Sequence, residues 1–278
     1  MRQLDMSGLI FPEMIDEGKL YIDKTLLVDD ILKTDSNGVY LYTRPRRFGK
    51  SNNLSMLEEF FDVRSKGTHR FDGLEISKPE YAKYDVHRNA YNVVKINLKN
   101  CDMPTYDGNI EEIGSVVSVA FEKQRHAIDR NSLIPADVEQ FDRIMNRRAT
   151  ESELRSSLLF LCRVLFKSNG LRTVVLVDEY DTPVSYEADA DTRRRMLGFL
   201  SGFLSAALKD NECVQMGFVT GILQIAKEGM FSKMNNVKVN NIFSTISDER
   251  YGFTESEVKA VLEDRECLDQ FDTVKEWY

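Results

Sequence analysis

Val39-Tyr-Leu-Tyr-Thr-Arg-Pro-Arg-Arg-Phe-Gly-Lys-Ser51 is the stretch on which the reading of this chain turns. Val39 to Tyr42 is a short apolar run, read as a strand. A tight basic loop follows, and then the start of a helix predicted to run to about Asp62. Four apolar residues alone do not separate strand from helix, so the flanks decide. The Gly49-Lys50-Ser51 end matches the second half of the phosphate-binding pattern G-x-x-x-x-G-K-[ST]. Arg44 stands where that pattern has its first glycine. A strand before the loop and a helix after it would aim backbone N–H groups and a helix N-terminus at an anion.

Composition sets the outer bounds. At 278 residues the chain is one large domain or two small ones, long enough to bury a sizeable core. Its 42% hydrophobic and 29% charged residues are those of an ordinary globular protein. The net charge of −8 does not indicate a nucleic-acid partner over the whole surface, although Arg44, Arg46, Arg47 and Lys50 form a local basic patch. Cys101, Cys162, Cys213 and Cys267 are scattered, and His69, His87 and His126 have no ligand spacing, so free thiols and no structural zinc are expected. No run approaches the length of a membrane span, and the N-terminus lacks the apolar core of a signal peptide. No membrane partner and a cytoplasmic location are the expectation.

Outward from the opening stretch, helices are predicted over 26–33, 110–127 and 191–208. Strands are predicted over 93–98, 173–177, 214–220 and 237–244. Leu54, Leu57 and Phe61 should face the sheet, with Phe60 at the edge of that face. Residues 64–90 read as an irregular insertion with a short helix near Pro79–Tyr84, and 129–148 as a mixed segment. Thr150-Glu-Ser-Glu153 is a capping box opening one helix through Leu154, Leu158, Leu161 and Leu165, ended by Gly170. Residues 221–236 read as a loop, a helix and a turn. A second capping box at Thr254–Glu257 starts a final amphipathic helix through Val258, Val261 and Leu262. Strands alternating with helices make an α/β protein with a mainly parallel central sheet. Loops after the strands then gather on one edge, where ligands of such sheets bind.

Val174-Val-Leu-Val-Asp178-Glu179 delivers two carboxylates to that edge. In a phosphate-loop ATPase the aspartate holds Mg²⁺ and the adjacent glutamate polarises the attacking water. One group must neutralise a cation and the other accept a proton, so both must be carboxylates. An acidic pair that merely caps a strand end is the plain alternative. Thr220 closes another apolar strand. In the glutamate-bearing branch of phosphate-loop proteins a strand lies between the loop strand and the acidic strand, and its terminal polar residue senses the γ-phosphate. A threonine at a turn made easy by Gly221 is the competing reading.

Three blocks carry a resemblance: Tyr21-Ile-Asp-Lys-Thr25; Arg44-Pro-Arg-Arg-Phe-Gly-Lys-Ser51 with Asn53-Leu-Ser-Met-Leu57; and Thr220–Glu228 with Phe231–Asn236. Together they resemble the AAA-ATPase-like family of bacterial proteins, whose members commonly join this domain to a C-terminal nuclease-like domain of the PD-(D/E)xK type. The resemblance implies a P-loop NTPase fold of the AAA-like kind, with ATP and Mg²⁺ as ligands. It divides the chain into an N-terminal segment over 1–38 packing on the core, an ATPase-like core over 39–250 and a C-terminal helical segment over 251–278.

Carried over by position, Lys50 contacts the β- and γ-phosphates and Ser51 and Asp178 hold Mg²⁺, with Glu179 and Lys50 as the catalytic groups. Arg46, Arg47, Phe48, Gly49, Lys50, Ser51, Asn52 and Thr220 form the implied nucleotide-binding set. Arg44 is read with Arg46 and Arg47 as a phosphate contact. Two departures bear on turnover more than on binding. Gln224 stands where the family has arginine, and Ser232-Lys-Met-Asn-Asn236 replaces Ser-Gly-Leu-Asn-Asn. The family pattern also continues past a Trp-Tyr pair, whereas this chain stops at Trp277-Tyr278, so a truncated product without nuclease activity is expected. The expected activity is ATP hydrolysis. An ATP-dependent switch or scaffold with little turnover and a nucleic-acid module using the basic loop stay open, as does a homo-oligomer.

Overall fold

The computed structural model describes residues 8–184, 189–225, 234 and 236–277. Its helices and strands in chain order are α1 Phe11–Asp16, α2 Leu27–Thr34, β1 Val39–Thr43, α3 Lys50–Phe61, β2 Asn92–Asn97, α4 Tyr106–Gln124, α5 Pro135–Met145, α6 Glu151–Arg155, α7 Ser157–Asn169, β3 Thr173–Asp178, α8 Ala190–Leu208, β4 Val214–Gly221, β5 Val237–Asn240, α9 Glu255–Asp264 and α10 Phe271–Trp277. The five strands form one sheet in the order β2-β3-β4-β1-β5, and every pairing is parallel. The sheet is flanked by helices and is consistent with a P-loop NTPase-like fold. β4 lies between β1 and β3, which puts Thr220 between the loop strand and the acidic strand.

Alternation along the strands sorts side chains to two cores. Val39 and Leu41 join Val175, Val177 and the helices α4, α5, α7 and α8 on one face. Tyr40 and Tyr42 join Val174, Leu176, Phe218 and α1 to α3 on the other. Covered on both faces, β3 has no polar side, and Val174 to Val177 are fully buried. Each such side chain contributes about 1.5–3 kcal/mol of burial.

Several elements depart from the sequence expectations for local reasons. Phe60 is 1% exposed rather than at an edge, because the insertion between α3 and β2 covers it with Phe71 at 5.5 Å. That insertion is a run of 3₁₀ turns, the longest over Pro79–His87. The expected long helix after Thr150 is interrupted at Ser156, whose hydroxyl bonds back to Ser152 O at 3.1 Å; the four leucines still share one buried face. α5 orders the segment read as mixed, with proline in its first turn. β5 stops at Asn240, where the Asn240 amide turns to Ile246 O and an Asn241 turn takes over. α9 buries none of its residues and is followed by α10, so it is not the final helix.

The Tyr21–Thr25 block ties remote segments together, with Tyr21 in the second core. Asp23 accepts from Glu75 N at 2.8 Å, Thr25 Oγ1 from Ile76 N at 3.2 Å, and the buried Lys24 ammonium donates to Glu257 at 2.6 Å. On the N-terminal side, Phe11 N donates to Ser55 Oγ on α3. Cys101, Cys162 and Cys213 are buried free thiols, and burial pushes the Cys101 and Cys162 thiols up to about 12. Among the described residues no helix is long and apolar enough to cross a membrane.

Candidate functional site

Beyond the last residue of β1, Arg44 N donates to Gly221 O at 3.1 Å and carries the sheet into the loop. The Arg44 side chain is 3% exposed. Its guanidinium donates to Thr43 O at 2.9 Å, Asn240 O at 3.0 Å and Asn240 Oδ1 at 2.6 Å, and it lies 4.9 Å from the Tyr251 ring centre. Burial lowers its pKa from the ordinary arginine value, and Tyr251 and Tyr42 oppose that shift. The expectation that Arg44 contacts phosphate is therefore corrected: it clamps β5 and Tyr251. Arg46 and Arg47 differ, being exposed with no hydrogen bond or ion pair among the described residues.

A loop lacking the first glycine needs its left-handed turn elsewhere. It falls at Arg47, with φ 68°, and again at Gly49, with φ 76°. The arginine pays about 1–2 kcal/mol for this backbone, which glycine adopts freely. Gly49 caps α3 without a side chain, and the first α3 amide bonded to a backbone carbonyl is that of Asn53, to Gly49 O. The amides of Lys50, Ser51 and Asn52 are thus the open donors of the helix start, where the dipole is positive. Lys50 is 6% exposed and folds back, its Nζ donating to Arg44 O at 3.0 Å and Pro45 O at 2.9 Å. Burial holds its pKa below the usual lysine value, while Glu179, Asp178 and Asp181 pull the other way.

Two residues of the implied nucleotide set have other contacts. Asn52 turns its side chain to Met14 Sδ at 3.8 Å, toward α1 rather than the loop. Phe48 packs on the second core, and its carbonyl accepts from Gly252 N at 3.2 Å.

Asp178, at the end of β3, is fully buried and meets four donors. Its Oδ2 accepts from Ser51 Oγ at 2.6 Å and Asn97 Nδ2 at 3.3 Å. Its Oδ1 accepts from Thr220 Oγ1 at 2.5 Å and from Glu179 N at 3.1 Å. Four sequence-predicted or strand-end residues thus converge: Ser51, Asp178, Thr220 and Asn97. Asn97 had no role in the sequence reading. Its signal was the polar residue closing β2 at the register position facing Asp178. Glu179 is partly exposed, in a left-handed backbone with φ 55°, and accepts from Thr182 Oγ1 at 3.3 Å.

The residues after this pair were also missed. Tyr180 OH donates to Leu223 O at 2.7 Å and accepts from Ile225 N at 3.1 Å. Asp181 Oδ2 accepts from Ile222 N at 3.1 Å and Leu223 N at 2.8 Å, while its buried Oδ1 has no hydrogen-bond partner among the described residues. Gly221 makes room for them, since a Cβ there would lie 2.4 Å from Asp181 Oδ1. Close approach, rather than an easy turn, is what requires the glycine. Gln224, at the family's arginine position, accepts from Asn241 Nδ2 at 3.0 Å. Residues 226–233 and 235, which include about half of the third resemblance block, lie outside the described residues.

Among the described residues no group of three or more His, Cys, Asp or Glu is placed to hold a metal ion. The Ser51 hydroxyl beside the Asp178 carboxylate is nonetheless an oxygen-only set suited to Mg²⁺, which takes one or two protein oxygens and completes its shell with water and phosphate.

A family model described as "Predicted AAA-ATPase" matches residues 9–231. The chain is also 27% identical over 263 residues to an uncharacterized protein in the vnfD 5' region of Azotobacter chroococcum mcd 1. That alignment covers 93% of this chain and 44% of the relative, so the chain spans less than half of that protein's length. No solved structure matches.

Proposed function

The chain belongs to the predicted AAA-ATPase family, and from that premise we propose that it binds ATP with Mg²⁺ and hydrolyses it where the 44–51 loop meets the ends of β3 and β4. The observation that carries this reading is the 2.6 Å contact between Ser51 on the loop helix and Asp178 on β3, with Thr220 on the same carboxylate. Phosphoryl transfer asks little covalent chemistry of a protein and much positioning and charge neutralisation. The open amides of Lys50 to Asn52 bind and orient phosphate oxygens. Lys50 exchanges the Arg44 and Pro45 carbonyls for phosphate, which gives its buried ammonium an anion in place of two dipoles. Arg46 and Arg47 are exposed and take up outer phosphate charge.

Ser51 and Asp178 would hold Mg²⁺, which when bound neutralises triphosphate charge and polarises its terminal oxygens. Glu179 accepts the proton of the attacking water, its carboxylate being partly exposed beside the buried Asp178. Thr220 reports on the γ-phosphate through the hydroxyl it keeps on Asp178. A second reading, an ATP-dependent switch with little turnover, is favoured by one feature: Lys50 is seated on loop carbonyls.

Phosphate-release assays separate the two. Glu179→Gln should lower hydrolysis roughly 100-fold or more while leaving ATP affinity nearly unchanged, as expected for loss of a general base. Equal and slow hydrolysis by wild type and variant would sink the enzyme reading and leave the switch.

A further inference from the structure

The site has a direction. Asp178 at the end of β3 and Thr220 on β4, which would face the terminal phosphate, lie on the side of β1 away from β5. Counted across the sheet, Asp178 is three strand positions from β5, roughly 14 Å at the usual spacing. A nucleotide whose terminal phosphate sits at Asp178 therefore extends its nucleoside toward the β5 flank of the loop. The 241–253 segment follows that flank closely. Its start is fixed by Arg44 on Asn240, its end by Asn53 Nδ2 on Arg250 O at 2.8 Å and by Gly252 N on Phe48 O at 3.2 Å.

This segment also exposes apolar surface. Phe243 is 90% exposed, Ile242 56%, Ile246 55% and Phe253 51%. The other large apolar residues exposed among the described residues are dispersed along the chain, at Ile10, Val86, Val119, Ile134 and Leu268. A cluster of exposed apolar side chains beside a polar site marks a place where something docks. Aromatic rings bind bases through their faces, whatever the base.

We propose that the base and ribose of the bound nucleotide lie on the β5 flank of the loop, against Phe243 and Phe253. The proposal rests on the reading of the loop as a nucleoside-triphosphate site. It adds a base-binding surface on a segment to which the phosphate loop contributes only its anchors. Ile242 and Ile246 add exposed apolar surface on the same segment.

The test uses the full chain and two probes, ATP and inorganic tripolyphosphate, each with Mg²⁺, titrated calorimetrically into wild type, Phe243→Ala, Phe253→Ala and Phe253→Trp. Loss of a stacking ring weakens binding about 5- to 20-fold. The expected result is that loss for ATP in both alanine variants, tripolyphosphate affinity within about twofold of wild type, and ATP affinity retained by Phe253→Trp. Unchanged ATP affinity in both alanine variants overturns the proposal. So does an equal fall for both probes, which would make the rings supports of the loop, and so does wild type binding both probes equally well. If wild type binds neither probe, the nucleotide reading itself fails and takes this inference with it. Phe243 is almost fully exposed, so its variant tests the base contact without disturbing the core.

Discussion

Arg44 and Asp178 stand at the ends of two strands separated by β4, and both are nearly or fully buried charges. Their surroundings differ. Arg44 is hydrogen-bonded to carbonyl and amide oxygens of the buried Thr43 and Asn240 and covered by Tyr251. Asp178 is held by Ser51, Asn97 and Thr220, two hydroxyls and an amide at the open edge of the sheet, with Ser51 and Asn97 exposed. Hydroxyls and amides can give up a carboxylate to a ligand and rotate to another acceptor; the Arg44 clamp cannot open without unpairing buried groups. The first charge is structural, and the second is the one that the proposed nucleotide site would rearrange.

The comparison breaks most visibly at Arg44. Arg44→Ala should cost about 3 kcal/mol of unfolding free energy, because it strips a buried charged donor from Asn240 and empties the space over Tyr251. Arg46→Ala and Arg47→Ala, at exposed positions, should stay within about 0.5 kcal/mol of wild type in the same urea titration. Equal losses for all three would erase the distinction between clamp and loop charge.

A smaller effect is expected on the acidic side. Thr220→Val keeps the shape of the side chain but removes one donor from Asp178, leaving Glu179 N on that oxygen. The stability loss should be about 1 kcal/mol. Its ATP hydrolysis, measured beside its melting temperature, should fall by more than that loss explains. A fall in stability alone would reduce Thr220 to a support of the strand end.

The mildest probe is pH. In the free protein burial holds the Lys50 ammonium below the ordinary lysine value. A bound triphosphate favours the charged form, so its pKa rises on binding, and binding takes up a proton once the pH exceeds the free-protein value. ATP affinity should therefore be flat below that lowered value and fall as the pH climbs through it, by up to about tenfold per unit. The fall should begin below the range of an ordinary lysine. A profile flat to the ordinary lysine range would separate Lys50 from the nucleotide.

Much of this architecture is legible in the residues themselves. The Val174–Val177 run announces a strand buried on both faces, and the stretch ending in Gly49-Lys50-Ser51 announces a loop between a strand and a helix. The mainly parallel sheet follows from the alternation of strands and helices, whereas the place of Thr220 follows from the strand order of the glutamate-bearing phosphate-loop branch. Partners far apart in sequence do not follow. Arg44 meets Asn240 across 196 positions, and only the β1–β5 pairing brings them together. Asn97 looks like any polar strand end until the β2–β3 register puts it opposite Asp178. Asp181 was overshadowed by the Asp178-Glu179 pair, and its work is done on backbone amides, which leave no mark on the sequence. Phe60 was misplaced because helical periodicity knows only the sheet side of α3, and the insertion covers the other side.

The most direct measurement of the central claim is calorimetric titration of ATP with Mg²⁺ into wild type and Lys50→Ala. Wild type should bind at a single site, and the variant should bind roughly 30-fold or more weakly, as truncation of a buried charge facing an anion requires. Absence of binding by wild type, or equal binding by both proteins, would contradict the account.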